Sequence, residues 1–299
     1  MSVATASTNI ENPRLGPKGT GRLLRAATAQ PMLIASGAML CSFALLALVA
    51  PWLTGDPATI NPITRLRPPS ATQWFGTDHV GRSVFDRAIW GTRVSLTVGL
   101  IVALVTTIIG VAVGVVAGYF RMIDSVLMRV MDAVMAIPAI LLAIALVALV
   151  GASPFVIVTA IAVPEIPRMA RMVRASVLVL RGQAYVEAAI TCGGKTSSIL
   201  RRHILPGAAG PILVQATYVF ASAMILESIL SFLGAGTPPD VPSWGNMMAE
   251  GRQYLQLAPW ILGFPAVLLA AAVLSVNLMG DALRDLLDPS MATSEGMPR

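Results

Sequence analysis

The sequence predicts an all-α membrane protein with six transmembrane helices and both termini in the cytosol. Charged residues make up 12% of the chain and hydrophobic residues 56%, whereas a soluble globular domain carries roughly 25% charged residues. The mean hydropathy is +0.75. A soluble chain with so few charges would struggle to cover its surface, but a bilayer accepts apolar side chains that face lipid.

Six apolar segments are long enough to cross a membrane, because a bilayer core of about 30 Å requires roughly 20 residues of helix. They are Met32–Leu53, Val94–Tyr119, Val126–Val150, Phe155–Val173, Ile212–Leu233 and Trp260–Met279. The fourth holds Pro164 and Pro167 around Glu165, which predicts a kink or an end in that helix. The chain then divides into a cytosolic segment (1–30), the first transmembrane helix (31–53), an extracytoplasmic loop (54–93), a five-helix core with a cytosolic loop at 174–207 (94–280) and a cytosolic tail (281–299).

The distribution of Lys and Arg sets the orientation, since cytosolic segments carry the excess of positive charge. With the N-terminus inside, the outer side keeps six of the 21 Lys and Arg residues: Arg65, Arg67, Arg82, Arg87, Arg93 and Arg252. No apolar core with a cleavage site is visible in the first thirty residues, so no removed signal peptide is predicted. The outer loop is basic for its side, and we expect it to be partly structured and packed on the bundle.

Small residues and intramembrane charges predict contacts within the bundle. Gly110, Gly114 and Gly118 form a stripe at four-residue spacing, which lets helix backbones approach closely. Packing within the chain is favoured over a subunit interface. Asp132 lies three residues after Arg129, and a local ion pair is expected.

One acidic residue lies deep in the fifth span. Glu227 follows Met224 in a mostly apolar run, and an intramembrane carboxyl is a functional candidate by default. Glu227 either pairs with another helix, which is favoured, or lines a translocation path. Met224 and Glu227 are therefore the candidates for such a path.

The longest cytosolic connection, between spans four and five, predicts a helix, a turn and a second helix. The Ala-rich run Tyr185–Cys192 favours helix, and Gly193-Gly194 permits a turn. Thr196 or Ser197 is the expected cap of the second helix, and Pro206 is expected to end it.

This segment resembles the EAA loop of ABC-importer permeases, which inserts into a cleft of the ATPase subunit. Its pattern is matched by Glu187, Ala188, Ala189, Gly193, Leu205 and Pro206, with His203 at a position that is Ile in the general pattern. His-Ile-Leu-Pro is common in the peptide-permease branch. The resemblance implies that the residues docking the ATPase are Glu187, Ala188, Ala189, Gly193, Arg201, Arg202, His203, Leu205 and Pro206.

Further motifs resemble the C-type subunits of dipeptide and oligopeptide permeases. They are Trp74–Arg82, Phe232–Gly234 with Pro242–Met247, and Asn277–Asp285 with Asp288-Pro289. The resemblance covers roughly Trp74 to Pro289. It implies the fold of an ABC type I importer permease, import of peptides and a bacterial plasma membrane location.

The resemblance also implies the partners. They are a second homologous permease, two cytosolic ATP-binding subunits or domains, an extracytoplasmic substrate-binding protein and a peptide substrate, with no nucleic acid. No cofactor is expected on this chain, because ATP and Mg²⁺ would bind the partner ATPase. Gly194-Lys195-Thr196 is similar to the end of a P-loop, but Ala189 stands where that motif needs Gly.

Neither catalysis nor a metal site is predicted. The chain has no Gly-x-Ser-x-Gly or His-Glu-x-x-His motif, and its two histidines, His79 and His203, lie on opposite sides in the predicted topology. His79 is expected to make loop hydrogen bonds and His203 to be a helix-end or interface residue. Two alternatives stay open: the same machine carrying nickel or another small solute, and a secondary transporter without an ATPase.

Overall fold

The computed structural model describes residues 31–238 and 240–287. Regular structure in these residues is helical, with no β-strand and one isolated bridge between Thr77 and Ser83. The all-α prediction is therefore confirmed for this part of the chain. The predicted segment 1–30, the end of the predicted tail and the Asp288-Pro289 motif lie outside the described residues.

Ten α-helices follow one another along the described chain. They are α1 (Pro31–Leu53), α2 (Val84–Tyr119), α3 (Arg121–Met135), α4 (Ala139–Val150), α5 (Pro154–Arg181), α6 (Ala184–Thr191), α7 (Thr196–Ile199), α8 (Leu205–Phe232), α9 (Trp244–Gly251) and α10 (Trp260–Leu287). A π-helical turn, Leu200–Ile204, joins α7 to α8. Four continuous helices are long and apolar enough to span a membrane, or five when α3 and α4 count as one broken span.

The second helix begins ten residues earlier than predicted, at Val84 instead of Val94. Ser83 is its N-cap and accepts a hydrogen bond from the backbone N–H of Asp86 at 3.3 Å. A side-chain cap satisfies one of the free N–H groups of a first turn. The predicted outer loop 54–93 therefore includes the first ten residues of α2, and its non-helical part closes at Ser83.

The third predicted span is not one helix. α3 and α4 meet at an angle of 82° across a break of three residues, Ala136 to Pro138. Pro138 lacks a backbone N–H and disfavours helical dihedrals at the residue before it. Pro138, which lies inside the predicted span Val126–Val150, therefore explains the break.

In the fourth span α5 stays helical through Pro164 and Pro167, so the helix does not end at these prolines. Both prolines are buried in the bundle, where neighbouring helices help to satisfy freed backbone groups. Glu165 between them receives hydrogen bonds from Arg168 at 2.8 Å and from the Ser222 hydroxyl at 3.3 Å.

α2 and α5 pack side by side through the predicted glycine stripe. A Cβ atom on Gly110 would lie 2.5 Å from Met169, one on Gly114 would lie 2.6 Å from the Ala170 carbonyl oxygen, and one on Gly118 would meet Val177. These distances leave no room for a side chain. The prediction that the stripe serves packing within the chain is confirmed, and the order of the contacts makes the two helices parallel.

Two ion pairs attach α3 to α5. Arg174 donates two hydrogen bonds to Asp124 at 2.5 and 2.6 Å, and Arg171 donates one to Asp132 at 2.6 Å. The predicted pair between Asp132 and Arg129 is wrong, because the Asp132 carboxylate pairs with Arg171 on α5 instead.

A partly buried ion cluster fastens the first loop to the bundle. Arg87 on α2 donates to Asp78 at 3.0 Å and to Glu250 on α9 at 2.6 Å, while Arg82 donates to the same two carboxylates at 2.5 and 2.7 Å. Burial would raise the pKa of Asp78, but hydrogen bonds from the Arg82 and Val80 backbone and the Arg82 charge bring that pKa below its ordinary value of 3.8. The loop is packed on the bundle, as predicted.

Replacing Gly114 by leucine is expected to destabilise the bundle by about 3 kcal/mol, because an overpacked contact against backbone cannot relax by side-chain rotation. The measurement is the free energy of unfolding in mixed detergent. Gly263→Leu on α10 is the matched control, since a Cβ there has no neighbour within 4 Å. Equal stability of the two variants would contradict the packing account.

Asp78 is expected to support the fold at all pH values above about 4. A folded-state pKa below the ordinary value means that the stabilisation is present above pH 3.8 and is lost as pH falls through the lowered pKa. Asp78→Asn should lower the melting temperature at pH 7. On acidification, the variant should lose less stability than the wild type. Asp285→Asn, at an exposed position, is the control, and an unchanged acid transition in Asp78→Asn would refute the assignment.

Candidate functional site

The segment with the EAA pattern, residues 182–207, lies at the end of the bundle where α2 and α5 finish. Arg181, the last residue of α5, donates to the carbonyl oxygen of Tyr119, the last residue of α2, at 2.9 Å. The first loop precedes α2, so it lies at the opposite end. We name these two ends the docking end and the first-loop end.

Apolar side chains anchor this segment to the main core. Val186, Ile199 and Ile204 are buried and belong to the same cluster as Val173 and Val177 of α5. Gly193, between α6 and α7, has φ +75°, a left-handed conformation that suits glycine. The predicted helix–turn–helix is therefore present, and buried residues tie both of its arms to the bundle.

Most of the predicted docking residues are accessible at this end. Glu187, Ala188, Gly193, Arg201, Arg202 and Pro206 are exposed, and Ala189, His203 and Leu205 are half-buried. Tyr185 and Ile190 are also exposed, at 48% and 42%, and sequence reasoning missed them. Their signal was the helical register of Val186, because a short helix that buries one residue turns its neighbours outward.

Two local details differ from the prediction. The N-cap of α7 is Lys195, without a side-chain hydrogen bond, instead of Thr196 or Ser197. Pro206 does not end a helix, because it lies in the first turn of α8, where a missing N–H costs little. Helical structure therefore runs from Thr196 through the π-helical turn into α8.

A large cavity of 1260 Å³ opens toward the first-loop end between α2 and α5. Its walls are mainly apolar, with Ile101 and Val105 from α2 and Val158 and Ile166 from α5. Its charged lining residues are Asp56, Arg93 and Asp240, all exposed. Sequence reasoning missed this cavity, because its walls come from segments distant in sequence.

The two residues predicted for the path do not line this cavity. Met224 is fully buried in a cluster with Phe43 and Trp244, and it packs where a Cβ on Gly99 would lie 2.8 Å away. Glu227 is also fully buried. Their place in a translocation path stays a prediction.

Glu227 lies within a cluster of hydroxyl groups. Ser231 donates to its carboxylate at 2.9 Å and Ser228 at 3.4 Å. Thr237 donates to Ser243 at 3.1 Å, and its backbone N–H donates to Ser231 at 3.3 Å. The partners of Glu227 are thus on α8 and the following loop, which leads into α9.

Asp78, His79 and Glu250 bring possible metal-ligand atoms within 4.8 Å of one another. Both carboxylates already accept hydrogen bonds from Arg82 and Arg87, and a cation there would face two guanidinium charges. His79 stacks on Tyr254 with ring centroids 5.3 Å apart. The donor set at Asp78 therefore fits an ion-pair cluster better than a metal centre.

At the other end, His203 lies in the π-helical turn, with its ring 6.1 Å from Tyr185.

Curated proteins similar to this chain are named as peptide permeases. A probable peptide ABC transporter permease protein of Sinorhizobium fredii is 49% identical over 95% of this chain and 97% of its own length. The dipeptide transport system permease protein DppC of Alkalihalophilus pseudofirmus is 43% identical over 85% and 84%. The oligopeptide transport system permease protein OppC of Bacillus subtilis is 39% identical over 83% and 82%.

The fold is also that of a solved importer. An inward-facing structure of the MetNI methionine ABC transporter matches 65% of this chain and 94% of its own chain with a TM-score of 0.51. Sequence identity is 18%, so this likeness concerns the fold alone. Residues 107–293 match the binding-protein-dependent transport system inner membrane component, and the chain belongs to this family of ABC-transporter permease subunits.

Proposed function

We propose that this chain is the transmembrane permease subunit of an ATP-driven importer for dipeptides and oligopeptides. The observation that carries the proposal is the exposed EAA segment, which buried residues tie to the helix bundle at the end opposite to the cavity. Relatives that cover most of the chain are named for peptide transport. The permease itself has no catalytic role here, and ATP with Mg²⁺ binds the partner ATPase.

The proposed topology has six spans with both termini in the cytosol of a bacterial cell. α3 with α4 forms one broken span and α5 another, although α5 carries Glu165 and several arginines. The orientation puts the docking end in the cytosol and the first-loop end outside the plasma membrane. The excess of Lys and Arg at the docking end supports this orientation.

Coupling in this proposal is a rigid-body movement that the ATPases drive. Two ATP-binding subunits dock on this chain and on a second homologous permease, and a binding protein delivers peptide outside. Glu187 offers a charged contact, Ala188 and Ala189 keep α6 slim, and Gly193 makes the turn. Arg201 and Arg202 flank the docking surface with His203, Leu205 and Pro206.

Movement of the segment reaches the cavity walls through shared packing. Val186 and Ile204 lie in the same core cluster as Val177 on α5, and α5 contacts α2 at the glycine stripe. Packed cores transmit displacement because they deform little. A push on the docking segment is therefore expected to tilt α2 and α5 together.

The function is tested by uptake in cells with and without this gene. Labelled dipeptide and longer peptides should enter only when the gene and its ATPase are present, and the purified chain should bring the ATPase with it. Uptake of Ni²⁺ without peptide uptake would favour the metal alternative. Ion-driven uptake by the chain alone would replace the importer with a secondary transporter.

Gly193→Asp is expected to abolish ATPase binding and transport while the protein still reaches the membrane. A Cβ at Gly193 has no neighbour within 4 Å, so the cost to the fold is backbone strain of roughly 1–2 kcal/mol. Gly234→Asp is the matched control, because Gly234 has φ +82° and equally open surroundings at the first-loop end. Both variants should lose similar stability, and only Gly193→Asp should lose ATPase copurification; full copurification with Gly193→Asp would refute docking there.

A further inference from the structure

The mouth of the cavity carries charges of both signs above apolar walls. Arg93 is the cationic lining residue, and Asp56 and Asp240 are the anionic ones. All three side chains are exposed. Such a cavity selects ligands by their charge at the mouth. Along the apolar walls it selects them mainly by their size.

Arg93 is free to bind an anion. No salt bridge among residues 31–238 and 240–287 includes it, in contrast to Arg82 and Arg87 nearby in sequence. Its guanidinium carbon lies 5.8 Å from the centre of the Trp90 ring, a cation–π contact that restrains the side chain. Trp90 also lines the cavity. A guanidinium with free donors binds carboxylate through two parallel hydrogen bonds.

The acidic residues come from two other segments. Asp56 lies just after α1 and accepts a hydrogen bond from the Ala58 backbone at 2.9 Å, which leaves most of its acceptor capacity free. Asp240 lies in the loop before α9, beside the lining residues Pro238 and Val241. Neither Asp56 nor Asp240 takes part in a salt bridge within the described chain.

We propose that this cavity binds a peptide by its two free termini, with Arg93 holding the α-carboxylate and Asp56 or Asp240 facing the α-ammonium group. This inference rests on the proposed function and gives that function a site. A free peptide always has one anionic and one cationic end, whatever its side chains, so the rim is complementary to the feature that all such substrates share. Apolar walls then admit varied side chains without specific pairing.

The volume supports a ligand of this class. At 1260 Å³ the cavity exceeds the roughly 300–1,000 Å³ of a typical small-molecule pocket. A dipeptide or a short oligopeptide fits with water. A lipid acyl chain would also match the walls, but the chain itself would leave Arg93, Asp56 and Asp240 without charged partners.

The test uses cells that carry the complete transporter and no other peptide importer. Import of labelled trialanine is compared with import of its C-terminal amide for wild type, Arg93→Gln and Arg93→Lys. Arg252→Gln is the matched control, because Arg252 is exposed, lies 5.3 Å over the Phe232 ring and does not line the cavity. ATPase stimulation by the peptide-loaded binding protein reports whether docking is intact.

Arg93→Gln is expected to lower import of free trialanine about tenfold, the effect of losing one charged hydrogen-bond partner. Arg93→Lys should restore part of the import, because Lys keeps the positive charge but not the two parallel hydrogen bonds, and Arg252→Gln should match wild type. The amide should enter wild type slowly or not at all, and Arg93→Gln should not slow it further.

Three outcomes would overturn the assignment. The first is normal import of free peptide by Arg93→Gln. The second is an equal fall in the import of free and amidated peptide by Arg93→Gln, if wild type imports the amide. The third is a fall in import by Arg93→Lys as large as that by Arg93→Gln. The latter two would indicate a lipid contact, a permease interface or a fold defect. Failure of the proposed function is separate, because wild type would then import no peptide.

Discussion

The close parallel packing of α2 against α5 is the constraint on which the other features depend. Gly110, Gly114 and Gly118 bring the two backbones so near that no side chain fits between them. Dispersion between well-packed surfaces drives helix association in a membrane, since lipid already satisfies apolar side chains. The same two helices form the walls of the cavity at one end and finish beside the EAA segment at the other.

The two ends are stabilised by different chemistry. At the first-loop end, Asp78, Arg87 and Glu250 fix the loop and α9 against α2 through ion pairs to the buried Arg87. Such clusters contribute little net stability compared with apolar packing, but they demand one geometry. At the docking end, Val186 and Ile204 hold the segment by apolar contacts and leave its polar face open.

Composition and the apolar segments predicted the all-α class, because each helix depends first on its own residues. The glycine stripe and the Gly193 turn were predicted for the same reason. One error concerns a residue whose partner is distant, because Asp132 pairs with Arg171 on another helix. Helical structure also continues past Pro164 in α5, where the sequence left open a kink or an end. Pro138 breaks the third span, which was predicted as one helix because the residues around Pro138 are apolar. The cavity was not predictable either, since α2, α5 and two loops build it together.

Glu227 connects these observations although it does not line the cavity. Its carboxylate is bonded to Ser231, and Ser231 in turn accepts from the backbone of Thr237, a lining residue at the rim. Asn246 on α9 donates to the Thr237 and Pro238 carbonyl oxygens at 3.0 Å each. A buried polar network that is fully bonded specifies one arrangement of the backbone that it joins. The Glu227 carboxyl is therefore joined through Ser231 to the loop that also holds Asp240.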